Sequence, residues 1–152
     1  MKISENISIS GKFTFIFRNI ITGKIRKSIY DNLVVNTGKQ MLAKRLANVA
    51  NACNVTYCAV GTGVTAPNVN DTTLGTEYFR KVVSTYSYVA NIATVSTFIG
   101  ASEGNTALKE VGLFGEAASA TPNSGTLFNR AVINETKSSS ETLTIDCDIT
   151  FS

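Results

Sequence analysis

The C-terminal segment of the chain carries the strongest structural signal in the sequence. Apolar residues occupy every second position from Leu143 to Phe151, and Thr or Asp fills the positions between them. Because successive side chains of a β-strand point to opposite faces of the sheet, this order predicts one strand over residues 142–151, with one buried and one polar face. A register shift of one residue would expose the whole apolar set, so the pairing of this strand is firmly specified.

The same alternation recurs along the chain between turn residues and predicts a mainly β fold. Asn19 to Gly23 is typical of a hairpin turn, and Ala90-Asn91 is typical of a second one. The predicted strands cover residues 13–18, 24–30, 55–60, 81–89, 92–99, 108–114, 126–133 and 142–151, with residues 3–10 as a further candidate.

One segment follows a helical pattern instead. Thr37 and Gln40 have the spacing of a capping box, and Met41, Leu42, Leu46 and Val49 recur at helical spacing. We therefore expect one amphipathic helix over residues 38–48, which buries its stripe of Leu42, Leu46 and Val49 against the sheet. A second short helical turn is expected near residues 74–79.

These elements predict a single domain over residues 1–152. The predicted architecture is a two-sheet β-sandwich, jelly-roll-like, with the helix on a face or an edge. Residues 1–10 are a candidate N-terminal docking arm. They lack the apolar stretch of a secretory signal, and no apolar run in the chain has the length of a membrane span.

Composition argues against several kinds of chemistry. The chain has no His, which removes His-based catalysis and His metal ligands. Its three cysteines, Cys53, Cys58 and Cys147, do not make a disulfide framework and are interpreted as reduced, small apolar residues. The net charge of +3 is weak, and a single small basic cluster at Lys24, Arg26 and Lys27 does not support nucleic-acid binding.

Two motifs invite a chemical interpretation. Gly61-Thr62-Gly63 follows a predicted strand, as a phosphate-binding turn would. However, neither a third glycine nor a Gly-Lys-Thr/Ser sequence follows it. We therefore interpret these glycines as residues that adopt positive φ where the strand ends. Asp146 and Asp148 share one face of the last strand at a spacing that a cation site or a glycosidase pair could use. Because they alternate with threonines, a solvated or interface-facing carboxylate pair is the preferred interpretation.

We interpret the other charged and aromatic residues that could form a functional site as residues that stabilise the fold. Glu77 and Arg80 have the spacing of an ion pair, and Glu110 interrupts an apolar strand, so it needs a partner such as Arg80 or Arg130. A set of aromatic residues could line a sugar-binding face, but on a sheet such residues more often serve the core or subunit contacts. These residues are Tyr78, Phe79, Tyr86 and Tyr88.

The order of motifs over about residues 30–151 resembles a group of tailed-bacteriophage structural proteins, including tail-fibre and baseplate-type domains. The motifs lie at residues 32–39, 57–67, 71–74 with Glu77 and Arg80, 109–114, 125–130 and 143–151.

This resemblance implies a virion component that is assembled as an oligomer in the host cytoplasm. Lacking a shaft repeat or tip module, the chain fits a capsid decoration (cement) protein or a tail or baseplate adaptor. We expect no enzymatic activity, no cofactor, no metal, no nucleic acid and no membrane. The expected partners are the protein itself, for instance as a trimer, and other virion proteins such as the major capsid protein. Docking surfaces are expected at residues 1–10, 64–73 and 117–124.

Two alternatives stay open. One is a tail protein that binds a host-surface glycan through these loops and the aromatic residues. The other is a hydrolase that acts through Asp146 and Asp148.

Overall fold

The computed structural model describes residue 1 and residues 3–152; Lys2, part of the expected N-terminal arm, lies outside the described residues. The protein is mainly β with one helix, as the alternation predicts. The elements are β1 (Ile9–Asn19), β2 (Ile25–Val34), α1 (Asn36–Leu46), β3 (Val55–Gly61), β4 (Glu77–Val82), β5 (Thr85–Val89), β6 (Ile92–Ile99), β7 (Ala107–Gly115), β8 (Thr126–Thr136) and β9 (Glu141–Phe151).

All strands pair antiparallel in one curled sheet with the order β4-β3-β7-β8-β2-β1-β9-β6-β5. Strand β2 joins its two halves: the first part of β2 pairs with β1, and Leu33 and Val34 pair with β8. We refer to β1, β9, β6 and β5 as the β9 half and to β4, β3, β7 and β8 as the β7 half. The strands thus form one continuous sheet, and the expected arrangement of two separate sheets is not confirmed.

The main core lies between the inner faces of the two halves. Phe13, Phe15 and Phe17 of β1 are fully buried there, as the period-two pattern requires. From β9, the buried residues are those that the C-terminal alternation places on one face: Leu143, Ile145, Cys147 and Ile149. The β7 half contributes Val60, Val111, Leu113 and Ile133, among others, to the same core.

The helix differs from its prediction in bounds and in packing. It begins at Asn36 and ends at Leu46, and Val35 at its N-cap provides no side-chain cap. Thr37 Oγ1 donates to Leu127 O, so the capping box does not form. Of the predicted stripe, Leu42 packs against the main core, but the prediction is wrong for Leu46, which is 92% exposed, and Val49, which is 48% exposed.

The buried helical residues are Gly38 and Met41. A Cβ at Gly38 would lie 2.0 Å from Phe128 O, so the helix backbone approaches β8 at a distance that only glycine permits. Backbone proximity at Gly38, rather than a leucine stripe, therefore places the helix.

Three further predictions are corrected. Residues 74–79 form no helical turn; the chain is extended and β4 begins at Glu77. The strand predicted over residues 81–89 is two strands, β4 and β5, which lie at opposite ends of the sheet order and are separated by Val83 and Ser84. Of the candidate strand over residues 3–10, only Ile9 and Ser10 are in β1.

Candidate functional site

A buried ion pair fixes the long loop between β3 and β4 on the outer face of the β7 half. Glu110 is 0% exposed and Arg130 is 2% exposed; Arg130 Nη2 donates to Glu110 Oε2 at 2.8 Å. Arg130 also donates to Asp71 Oδ2 at 2.7 Å and to Thr65 O at 2.9 Å, both in the loop. The sequence interpretation of Glu110 as a paired structural residue is confirmed, with Arg130 as its partner.

The second half of this network consists of backbone amides. Glu110 Oε1 accepts hydrogen bonds from Gly63 N at 3.0 Å and Thr76 N at 2.6 Å, and Oε2 accepts one from Gly75 N at 2.8 Å. Burial acts to raise the pKa of Glu110, but these amides and Arg130 outweigh it and hold the pKa below its ordinary value. The carboxylate is therefore ionised, enclosed and fully used in holding the loop.

The network also explains the glycines of the Gly61-Thr62-Gly63 motif. Among the described residues, neither Gly61 nor Gly63 has the positive φ that the sequence interpretation assigned to them. A Cβ at Gly61 would lie 2.5 Å from Glu110 Oε1, and a Cβ at Gly63 would lie 2.4 Å from the same atom. These glycines leave room for the Glu110 carboxylate.

A second buried ion pair fixes the loop between β7 and β8. Arg80 Nε donates to Glu77 Oε1 at 2.6 Å, which confirms the predicted pair, although it lies on a strand rather than a helical turn. Arg80 Nη1 also donates to Ser119 O at 2.9 Å and Ser124 O at 3.1 Å. Its guanidinium carbon lies 4.6 Å from the centre of the Phe114 ring.

The two expected docking loops, residues 64–73 and 117–124, are therefore held in fixed positions. A small second core of Val35, Ala59, Leu74, Phe114 and Leu127 lies on the outer face of the β7 half, with Ala118 of the second loop packed against it. The third expected docking element, the N-terminal arm, differs: Ile3 is 73% exposed and Ile7 is 76% exposed. Its end is held by paired hydrogen bonds between the backbones of Ser8 and Ser152.

The Asp146–Asp148 pair lies on the outer face of the β9 half, half-buried among hydroxyl groups. Asp146 accepts a hydrogen bond from Ser96 Oγ at 2.5 Å, and Asp148 accepts one from Thr94 Oγ1 at 2.6 Å. Lys12 Nζ lies 3.8 Å from Asp148 Oδ2. In the part of the chain that the structure describes, no group of three or more His, Cys, Asp or Glu side chains could hold a metal ion.

The four aromatic candidates do not form one exposed row. Phe79 packs against the main core, and Tyr86 Oη donates to Val55 O at 2.7 Å. Tyr78 is 53% exposed and Tyr88 is 82% exposed. Tyr86 also lines an apolar cavity of about 300 Å³ between the helix end and both sheet halves, together with Leu42, Val55, Val95, Phe128 and Phe151.

Sequence reasoning missed one charged cluster. Arg26 donates to Glu141 Oε1 at 2.9 Å and to Glu135 Oε2 at 2.8 Å, and its guanidinium carbon lies 3.5 Å from the centre of the Phe17 ring. Arg26 therefore does not contribute a free charge to a basic patch. Its partners lie more than a hundred positions along the chain. The pairing of β1 with β2 and β9 brings Glu141 close to Arg26, and Glu135 comes from β8, which pairs with β2.

The three cysteines are free thiols, as expected. Burial raises the pKa of the Cys58 thiol to about 12 and also raises that of Cys147. Both are therefore protonated and unreactive in the folded protein.

No helix in residue 1 and residues 3–152 has the length and apolar character that a membrane crossing requires. No known protein family, curated protein or solved structure matches this chain.

Proposed function

We propose that the protein is a non-enzymatic structural component of a bacteriophage virion, assembled in the host cytoplasm. It self-associates and docks on the capsid surface as a decoration protein or on the tail or baseplate. The observation that carries the association is the open edge of the sheet at β5, where all five residues, Thr85–Val89, are exposed.

An exposed strand edge offers unpaired backbone groups to another chain, and proteins that remain monomeric commonly protect such edges with Lys, Pro or bulges. The β5 edge has none of these residues. No charged residue occurs between Lys81 and Glu103, so the whole β5–β6 hairpin is uncharged. Tyr88 and Val89, 82% and 76% exposed, add apolar area at the same edge. Depletion of charge with enrichment of Tyr is typical of the centre of a protein–protein interface.

The fixed loops and the exposed arm suit the docking part of the proposal. Residues 64–73 and 117–124 present a constant shape because Arg130 and Arg80 hold their backbones. The arm presents Ile3 and Ile7 to a partner. Loops that are already held in place lose little conformational entropy when they bind a larger assembly, and the apolar arm adds contact area.

We also propose that the two halves of the curled sheet act as the two layers of a jelly-roll-like sandwich. The shared core supports this arrangement, because Phe15 and Leu143 of one half belong to the same buried cluster as Val60 and Leu113 of the other. A scaffold of this kind resists deformation because its interior is close-packed, which suits a protein that stabilises a particle by buried contact area.

The alternative function is recognition of a host-surface glycan by a tail protein. The exposed ring of Tyr88 favours it, since an exposed aromatic face can stack on a sugar. Saturable glycan binding by the isolated protein that Tyr88→Ala abolishes would favour this alternative over a purely structural role.

Sedimentation velocity across a range of concentrations tests self-association. We expect the protein to associate and Tyr88→Lys to shift it towards the monomer, because the new charge lies on the β5 edge. Leu46→Lys is the matched control: Leu46 is 92% exposed on the helix, so this variant should associate like the wild type. A wild-type protein that stays monomeric at every concentration contradicts the proposal.

A further inference from the structure

The most unusual buried charge in the molecule is Lys137, directly after β8. It is 2% exposed, and it has no carboxylate partner in the part of the chain that the structure describes. A buried lysine without a counter-ion is costly, because its charge is removed from water without an ion pair in return. The free-energy cost of burying Lys137 indicates that this residue does more than fill space in the core.

The side chain of Lys137 is directed at one amide. Its Nζ lies 2.8 Å from Asn105 Oδ1 and 3.2 Å from Ala101 O. Asn105 Nδ2 donates to Ala101 O at 2.9 Å, so the amide is held in place. The backbone fixes the two segments side by side as well, since Lys137 N donates to Thr106 O at 3.0 Å.

This arrangement provides what an amine needs in order to attack an amide. A nucleophilic lysine must be neutral, and burial lowers the pKa of Lys137, although the charges of Glu103 and Glu141 act in the opposite direction. The carbonyl carbon of Asn105 is bonded to Oδ1, the oxygen that Nζ contacts at 2.8 Å. Holding an amine and an amide side by side in the folded chain makes their reaction intramolecular, which supplies a large part of the rate of such reactions.

We propose that Lys137 and Asn105 join in an intramolecular isopeptide bond. The Lys137 Nζ–Asn105 Cγ bond forms, the Cγ–Nδ2 bond of Asn105 breaks, and ammonia leaves. The lysine ammonium gives up one proton before the attack, and the departing ammonia takes up one proton and leaves as ammonium, so atoms and charge balance. Both reactants are in the chain, and the reaction needs no oxidant or further reagent.

The bond would close a covalent ring around β7 and β8, the two strands that carry Glu110 and Arg130. Such a ring restricts the unfolded chain as a disulfide does, in a protein that has none among its cysteines. This inference is independent of the proposed function, because it concerns stability and not the partner.

The exposed pair of Lys109 and Asn134 is a matched control within the same molecule. Lys109 Nζ also contacts the side-chain oxygen of an asparagine, Asn134 Oδ1, but this contact lies at the surface. A surface lysine keeps its charge and is a poor nucleophile, so no bond is expected there.

Mass spectrometry of the purified protein decides the question. We expect an intact mass about 17 Da below that of the sequence, the mass of one ammonia. Trypsin should release a branched peptide that joins residues 82–109 to residues 131–152, uncleaved after Lys137. No branched peptide should contain a bond from Lys109 to Asn134.

Variants of both partners complete the test. Lys137→Arg keeps the positive charge and should have the full mass of its sequence. Asn105→Asp supplies a carboxyl group and should lose about 18 Da as water instead. A wild-type protein of full mass overturns the proposal, whether or not a variant folds. A mass loss without the branched peptide, as from a cyclic imide at an asparagine, overturns it as well.

Discussion

Replacement of Glu110 by Gln tests whether the buried network holds the loop between β3 and β4. The substitution keeps the shape of the side chain and removes its charge. In the native protein each carboxylate oxygen accepts from several donors: Oε1 from Gly63 N and Thr76 N, and Oε2 from Gly75 N and Arg130. In either orientation, the amide group of Gln directs N–H groups at donors.

The expected cost follows from the donors left without an acceptor. At least two N–H groups that donate to the buried Glu110 carboxylate lose their acceptor, at about 1–3 kcal/mol each. The free energy of unfolding should therefore fall by about 2–6 kcal/mol, in line with about 3–5 kcal/mol for breaking a buried ion pair. A domain of this size has about 5–15 kcal/mol in total, and each kcal/mol lowers the melting temperature by about 2–4 °C.

Guanidinium unfolding followed by circular dichroism measures the loss. The control is Glu116→Gln. Glu116 pairs with the half-exposed Lys44 at 3.2 Å, where an ion pair contributes less than about 1 kcal/mol, and the one oxygen of Gln can still accept from Thr126 Oγ1, which lies 2.7 Å from Glu116 Oε2. Hydrogen exchange adds a local measurement: the amides of Gly63, Gly75 and Thr76 should lose protection in Glu110→Gln. A loss of stability no larger than that of the control, with these amides still protected, would refute the reasoning.

Three further predictions concern the helix, acid and the thiols. Gly38→Ala should destabilise the protein by about 3 kcal/mol or more, because the new Cβ would lie 2.0 Å from Phe128 O; thermal melts with Lys39→Ala, at the exposed neighbouring position, as control will check this. The folded-state pKa of Glu110 and of Glu135 is lowered, so their contribution is present above the unfolded-state pKa and is lost as the pH falls; urea unfolding should show stability decreasing below about pH 4. Cys58 and Cys147 should stay unmodified by a thiol reagent at pH 8 until denaturant is added, as mass spectrometry of the labelled protein will show; rapid native labelling of either would contradict their burial.

The sequence predicts the strands well because their code is local. Phe13, Phe15 and Phe17 occupy every second position of β1, and this alternation alone predicts that they share the buried face, as it does for the apolar residues of β9. The need of Glu110 for a cationic partner could also be foreseen, since a carboxylate within an apolar strand is costly without one.

The features that the sequence does not predict correctly all depend on tertiary contacts. Leu46 follows the helical period but points to solvent, because close backbone approach at Gly38 places the helix. The chain changes direction at Val83 and Ser84 without a Gly or Pro. The sequence therefore predicts one strand where the structure has two, β4 and β5. Lys137 gives no signal in the sequence, because its burial depends on a loop about thirty positions earlier in the chain.

We propose that the protein works through its outer contacts as part of a phage particle. The most direct test is immunogold electron microscopy of particles prepared from the cells that produce this chain, together with the stoichiometry of the protein in those purified particles. The account predicts regular labelling at one location, on the head for a decoration protein or at the tail end for a baseplate or fibre protein. Particles that contain none of the protein, and that do not bind it when it is added, would contradict it.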